Sequence, residues 1–268
     1  LSEEEYLKVK ELIERYKEVF RLRFGGDPPA ELDPLKVRLR PDARPLPART
    51  LRLGPHAKKA LEETVADLKA KGLIRENREA RYVSQMLISP KPKKNPLDEN
   101  EATKYRCVLD LRYVNSVTEP IVYPMTNLED SLNSCKGKKY YFCVDMLKGY
   151  WQCAVDETSQ EYFSFATEET VYSYTRVPMG HVDSAAWFNG QLKKVFKEFI
   201  DNKTMIVYID DVMGCCSTFE EYLAVLEGLL ATCERIKLKI NLTKCTLGQK
   251  SVHFGGRDID AEGWKFNP

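Results

Sequence analysis

The sequence has no long hydrophobic run. Its apolar stretches, such as Tyr140–Val144 and Met205–Ile209, stop at about five residues, whereas a membrane-spanning helix needs about 20. It has only three histidines (His56, His181, His253) and no Cys-x-x-Cys pair among its eight cysteines, which argues against a zinc site. Neither charge is in excess: 41 Lys+Arg face 40 Asp+Glu, so nucleic-acid binding can rest only on local clustering. With 14 Gly and 14 Pro in 268 residues, neither a collagen-like nor a disordered chain fits. The Gly-x4-Gly-Lys, Gly-x-Gly-x-x-Gly, His-Glu-x-x-His and Gly-x-Ser-x-Gly motifs are all missing. The opening Leu1-Ser2-Glu3-Glu4-Glu5 has neither the basic start nor the apolar stretch of a secretory leader, and it lacks an initiator Met. The expectation is therefore an intracellular piece of a longer chain, with no membrane association. Its thiols, without a framework, suit a reducing compartment and a structural role.

What is present is 43% apolar residues in a length that suits one large or two small domains with a sizeable core. Ser2 and Glu5 form a capping box, and Tyr6, Val9, Ile13, Tyr16 and Phe20 recur at helical spacing. That pattern predicts one helix ending near Gly25-Gly26. From Lys36 to Lys59, eight basic residues stand against one acid, Asp42, and Pro41, Pro45 and Pro47 keep the stretch extended. Such a ribbon either follows a phosphate backbone or is a solvated connector. Further helices are predicted over 55–71, 185–200 and 220–236, and strands over 86–89, 106–111, 140–144, 162–165, 171–177, 205–209 and 212–215. Strands and helices interleave without a regular βαβ beat, so the fold class is α+β around an antiparallel sheet.

Acids inside apolar strands are the chemical signal. Phe142-Cys143-Val144-Asp145 ends a hydrophobic run in a carboxylate, and Tyr208-Ile209-Asp210-Asp211-Val212 places two more between two such runs. Asp-Asp at a hairpin tip is also ordinary turn chemistry. If these strands are neighbours, three carboxylates crowd together and raise each other's pKa, a repulsion that a divalent cation relieves. Two Mg2+ ions can stabilise both the attacking and the leaving oxygen of an in-line displacement, so the trio points to phosphoryl or nucleotidyl transfer. This reading requires Asp145 to lie beside the 210/211 tip and to be free of Lys or Arg partners.

These residues resemble the Tyr-x-Asp-Asp box of reverse transcriptases, and the likeness is greatest to gypsy-type long-terminal-repeat retrotransposons. It extends over about Leu35–Pro268. Leu73-Ile74-Arg75 is similar to the segment entering the family's fingers. Arg106 to Asn115 resembles Arg-x-x-x-Asp-x-Arg-x-x-Asn, Tyr123-Pro124-Met125 resembles Tyr-Pro-Leu/Met, and Asp145 to Gln152 resembles Asp-Leu-x-x-Gly-Tyr-x-Gln. Val177-Pro178-Met179-Gly180 with Phe188 resembles Met-Pro-Phe-Gly…Phe, and Lys244-Cys245 with Phe254-Gly255-Gly256 resembles Lys-Cys…Phe-Leu-Gly.

The resemblance implies a right-hand polymerase fold with fingers and palm but no thumb. Residues 1–34 would form a helical arm, 35–119 and 153–183 fingers, 120–152 palm, and 184–268 palm with the primer-grip hairpin. It implies RNA-directed DNA synthesis, in which a primer 3′-hydroxyl attacks the α-phosphate of a dNTP on an RNA or DNA template and pyrophosphate leaves. Asp145, Asp210 and Asp211 would be the catalytic, metal-binding carboxylates for two Mg2+ ions, with Mn2+ as a substitute. Arg106, with Lys91 or Lys93, would hold the triphosphate, since a guanidinium meets phosphate bidentately. Tyr150 would exclude a 2′-hydroxyl, Met179-Gly180 would approach the nascent pair, and Phe254-Gly255-Gly256 would grip the primer end.

Departures from the family pattern are Met179 for the usual Phe or Gln, Ala185 for Pro, and Gly255 for Leu. The last removes an apolar contact and adds backbone freedom, which predicts looser primer positioning. Two other readings stand beside the polymerase. One is a domesticated, non-catalytic binding or scaffold subunit of a larger ribonucleoprotein assembly; the other is a metal-dependent nuclease, which leaves Tyr150 without a purpose.

Overall fold

The computed structural model describes residues 1–48, 52–90, 105–123 and 127–266. Its central sheet has four antiparallel strands in the order Thr246–Gln249, Tyr140–Asp145, Asp211–Cys216, Met205–Tyr208. Apart from Asp145 and Asp211 at their facing ends, the two inner strands carry no charged residue, because both faces of the sheet are covered and successive side chains of a strand point to opposite faces. Phe142, Val144, Met205, Val207, Val212 and Cys216 enter the larger core. Tyr141, Cys143, Ile206, Met213 and Cys215 enter a smaller one. Gly214 is flat for a steric reason: a methyl group on it would meet the Phe142 ring at 2.1 Å.

Two long helices close the larger core. Phe219–Arg235 begins at Thr218, whose hydroxyl accepts the Glu221 amide, and buries Tyr222, Val225, Leu226, Leu229, Leu230 and Cys233 at helical spacing. Ser184–Val195 buries Trp187, Phe188 and Leu192. The predicted single helix over 185–200 divides at Phe196, which is fully buried, and a short helix Lys197–Asp201 follows. The smaller core is closed by the helix Leu128–Asn133 and a three-stranded meander, Val252–Phe254, Arg257–Asp260 and Gly263–Phe266.

A second lobe carries the sheet Ile74–Glu76, Val171–Tyr174, Ser164–Ala166, Val83–Ser84 and the hairpin Met86–Pro90 with Tyr105–Leu109. The helix Pro55–Ala70 packs Leu61, Val65 and Leu68 against it, as their spacing predicts. The basic ribbon alternates by side: Leu35 and Val37 are buried while Lys36, Arg38 and Arg40 are exposed. Leu35 bridges to Val155 and Leu39 to Thr118, so the ribbon is a fixed strap with a cationic outer face.

The N-terminal helix has its capping box but spans only Glu3–Arg15. Phe20, predicted to continue it, instead starts a short strand, Phe20–Arg21, paired in parallel with Ile240–Asn241. All eight thiols are free. Among the described residues, no helix is long and apolar enough to cross a membrane. Lys91, Lys93, Pro124 and Met125 lie outside the described residues.

His181 is 5% exposed, edge-on to the Phe163 ring, and its Nδ1 has no partner. Burial lowers its pKa to about 4 from the usual 6.5. The unfolded chain takes up a proton that the folded state refuses, so stability present above pH 6.5 is lost as pH falls through about 4. His181→Gln is expected to flatten this slope by roughly 3 kcal/mol, measured by urea unfolding between those pH values.

Candidate active site

The acidic residues gather where the two central strands end. Asp145 closes its strand directly opposite Asp211, which opens the next one. Asp211 also pairs with Tyr208, so Ile209-Asp210 is a two-residue hairpin turn, and the Asp210 carbonyl accepts the Met146 amide at 3.2 Å. Ile209 has φ +59° while Asp210 does not, the pattern of a type II′ turn, which favours glycine at its first central position. The Ile209 amide donates to Oδ1 of Asn189, on the helix behind, at 3.2 Å.

Electrostatics register the crowding. Burial first, then the charges of Asp210 and Asp145, push the Asp211 carboxyl up to about 6. Asp210 is also raised, by burial and by Asp145. The metal-free protein therefore gains stability as Asp211 takes a proton on acidification, opposite in sign to His181 over nearly the same interval.

The trio is brought together, but one expectation fails. Asp145 is not free of basic partners: its Oδ2 accepts from Lys244 Nζ at 2.9 Å. Among the described residues, no three acidic, thiol or imidazole groups close on one point tightly enough to cage a cation unaided. The physical reason is repulsion: three carboxylates draw in the nearest mobile ammonium, here one on a side chain 61% exposed. The donor set still suits Mg2+, which takes hard oxygens, uses one or two carboxylates per ion, and completes its shell with water and phosphate. The Lys244 side of the pair is exposed and mobile, so solvent screens it and a divalent ion can take its place.

Around the trio stand the other predicted residues. Tyr150 is half-buried and edge-on to Phe188 at 5.6 Å, and Asp210 helps burial raise its phenol pKa. Trp151 packs elsewhere, against Phe24 and under Lys148. Met179 is 62% exposed at the rim. Gly180 has φ +96°, and Asn115 clamps its loop with both ends of one amide: Nδ2 donates to the Gly180 carbonyl and Oδ1 accepts the Val182 amide. Arg106 lies opposite Ser89 on the open face of its hairpin, exposed with Leu87 and Val108, and makes no ion pair among the described residues.

The Phe254-Gly255-Gly256 segment differs from the loose turn that Gly255 predicts. Gly255 and Gly256 have φ +54° and +75° between the paired residues Phe254 and Arg257, a type I′ turn that demands positive φ at both positions. A side chain on Gly255 would strike Leu128 at 2.6 Å. Arg257 donates to the Gly255 carbonyl and to Glu129, each at 3.0 Å, with Trp264 and Phe266 against its guanidinium. The phenol ring of Tyr208 lies against this turn, near Phe254. Asn189, Lys244 and Arg257 are the side chains that sequence reasoning did not assign. Lys244 sat in a quoted motif, but nothing local tied it to Asp145.

The family profile described as reverse transcriptase (RNA-dependent DNA polymerase) matches residues 90–259. The retrovirus-related Pol polyprotein from transposon 297 of Drosophila melanogaster is 29% identical over 78% of this chain and 19% of its own length. That from transposon 412 is 27% identical over 96% of this chain and 20% of its own. Both transposons are of the gypsy type, as the sequence motifs imply. The enzymatic polyprotein of cauliflower mosaic virus (strain Strasbourg) is 22% identical over 97% of this chain and 38% of its own. The chain thus spans about a fifth of the transposon polyproteins it matches. The foamy viral protease-reverse transcriptase with dsDNA superposes over 100% of this chain and 53% of that one, with TM-score 0.81 and 22% identity. The same enzyme with an RNA/DNA hybrid gives TM-score 0.79 at 23% identity, over 100% of this chain and 34% of that one. The fold is that of a right-hand polymerase, and the chain belongs to the reverse transcriptase (RNA-dependent DNA polymerase) family.

Proposed function

We propose that this chain is the fingers and palm of an RNA-directed DNA polymerase that extends a primer 3′-hydroxyl with dNTPs on an RNA or DNA template. The observation that carries the reading is the meeting of Asp145, Asp211 and Asp210 at one strand end, with two of the carboxyls held above their ordinary pKa by burial and by each other. Asp145, Asp210 and Asp211 would hold two Mg2+ ions, or Mn2+. Bound there, the metal supplies charge neutralisation for the transferring phosphoryl group.

The protein's own part is positioning, which is most of what phosphoryl transfer asks. Arg106, on the open face of the finger hairpin, meets the triphosphate with its planar fork, and Lys91 or Lys93 adds charge. Tyr150, braced edge-on by Phe188, presents its ring beside Asp210, where a 2′-hydroxyl would collide with it. The Met179-Gly180 loop, held by Asn115, borders the nascent pair. The Gly255-Gly256 turn, locked by Arg257, steadies the primer end against Tyr208. The exposed side of the Lys36, Arg38 and Arg40 strap faces the backbone of the bound nucleic acid.

Primer extension on an RNA template with Mg2+ tests the reading. Incorporation by the wild type, with a loss of about a thousandfold or more in Asp210→Asn at an unchanged melting temperature, is expected. No incorporation by the intact protein would overturn it and leave the scaffold role. Tyr150→Val is expected to raise ribonucleotide use on the order of tenfold or more, read as the rNTP/dNTP ratio of kcat/KM; an unchanged ratio rejects the sugar gate. Because Asp211 must lose its proton to bind a cation, and does so only above about pH 6, Mn2+ affinity should fall below that pH with release of one proton per ion. Titration calorimetry in buffers of different ionisation enthalpy measures both.

A further inference from the structure

Ile209 is an unusual residue to find at φ +59°: a β-branched side chain is strained there, and glycine or asparagine is the usual occupant. The two residues that follow it are acids of the site, so the direction of both carboxylates depends on this one backbone conformation. Strain of this kind persists only where surrounding structure over-determines it.

The group that does so is Asn189. It is 2% exposed, in the middle of the helix Ser184–Val195, between the fully buried Phe188 and Gly190, against which the Tyr123 ring is packed. Its Oδ1 accepts the Ile209 amide at 3.2 Å. A turn without that acceptor would leave a part-buried amide unpaired, so the bond favours the conformation that satisfies it. We propose that Asn189 is a positioning residue for nucleotidyl transfer: it fixes the left-handed Ile209 and so aims Asp210 and Asp211 at Asp145. The catalytic part of this inference rests on the polymerase reading; the structural part does not.

Asn189→Leu keeps the size and removes the acceptor. In the intact chain its kcat for dNTP incorporation should fall about tenfold or more, with KM for dNTP and the Kd for primer–template within about twofold. Hydrogen exchange of the Ile209 amide in the metal-free protein should become at least about tenfold faster. Adding Ile209→Gly, which adopts positive φ without strain, should restore most of the lost kcat. Asn189→Asp, which keeps an acceptor of the same reach, should retain slow exchange at Ile209, and it decides the structural part even where Asn189→Leu does not fold. Unchanged Ile209 exchange in Asn189→Leu, rapid exchange in Asn189→Asp, a loss that Ile209→Gly does not repair, or a KM effect with kcat intact would each overturn the proposal. A wild type that incorporates nothing removes the polymerase reading and with it the catalytic part, while exchange at Ile209 still decides the structural one.

Discussion

Everything at this site depends on holding like charges together against their repulsion. Directly opposed acids on paired strands destabilise a sheet, and here a third sits in the adjoining turn. What opposes them is burial on both faces of the sheet. Phe142, Val144, Val207 and Val212 are locked into one core, and Tyr141, Cys143, Ile206 and Met213 into another, so the strands cannot slip or splay without exposing one set or the other. A one-residue slip would exchange the two faces and carry Asp145 away from Asp211. Lys244 relieves part of the remaining repulsion, and the raised pKa of Asp210 and Asp211 marks what is left.

The same two-sided burial is why so much was legible in the sequence. An apolar run that ends in Asp, and two such runs flanking Asp-Asp, are patterns that a doubly covered hairpin leaves in any chain. The predicted strands and long helices fall within a few residues of those observed wherever local pattern and tertiary packing agree. They diverge where packing overrides periodicity. Phe20 continues the helical spacing of Val9 and Ile13 but is captured by Ile240, and Phe196 turns into the core and breaks its helix.

Side chains that act across long sequence separations left no local mark. Lys244 reaches Asp145 over 99 residues, and Asn189 reaches Ile209 over 20. A polar residue on a helix face reads as a neutral surface choice until the hairpin behind it is in place. Gly255 shows the reverse error. Judged by composition it loosens a turn, yet the backbone there needs glycine, and Arg257 ties that backbone to Glu129 and to the aromatic pair Trp264 and Phe266.

The order of the central strands carries a consequence for how the molecule is made. Tyr140–Asp145 finds one neighbour only when Asp211–Cys216 has been synthesised, and the other only with Thr246–Gln249. Until then a strand that is apolar up to its terminal Asp145 leaves the ribosome with unpaired edges, the condition that invites aggregation or chaperone capture. Nascent chains stalled between residues 150 and 245 should therefore be sticky and metal-indifferent. The acidic cluster waits on a pairing between strands far apart in sequence, and is not a local event around which the rest condenses.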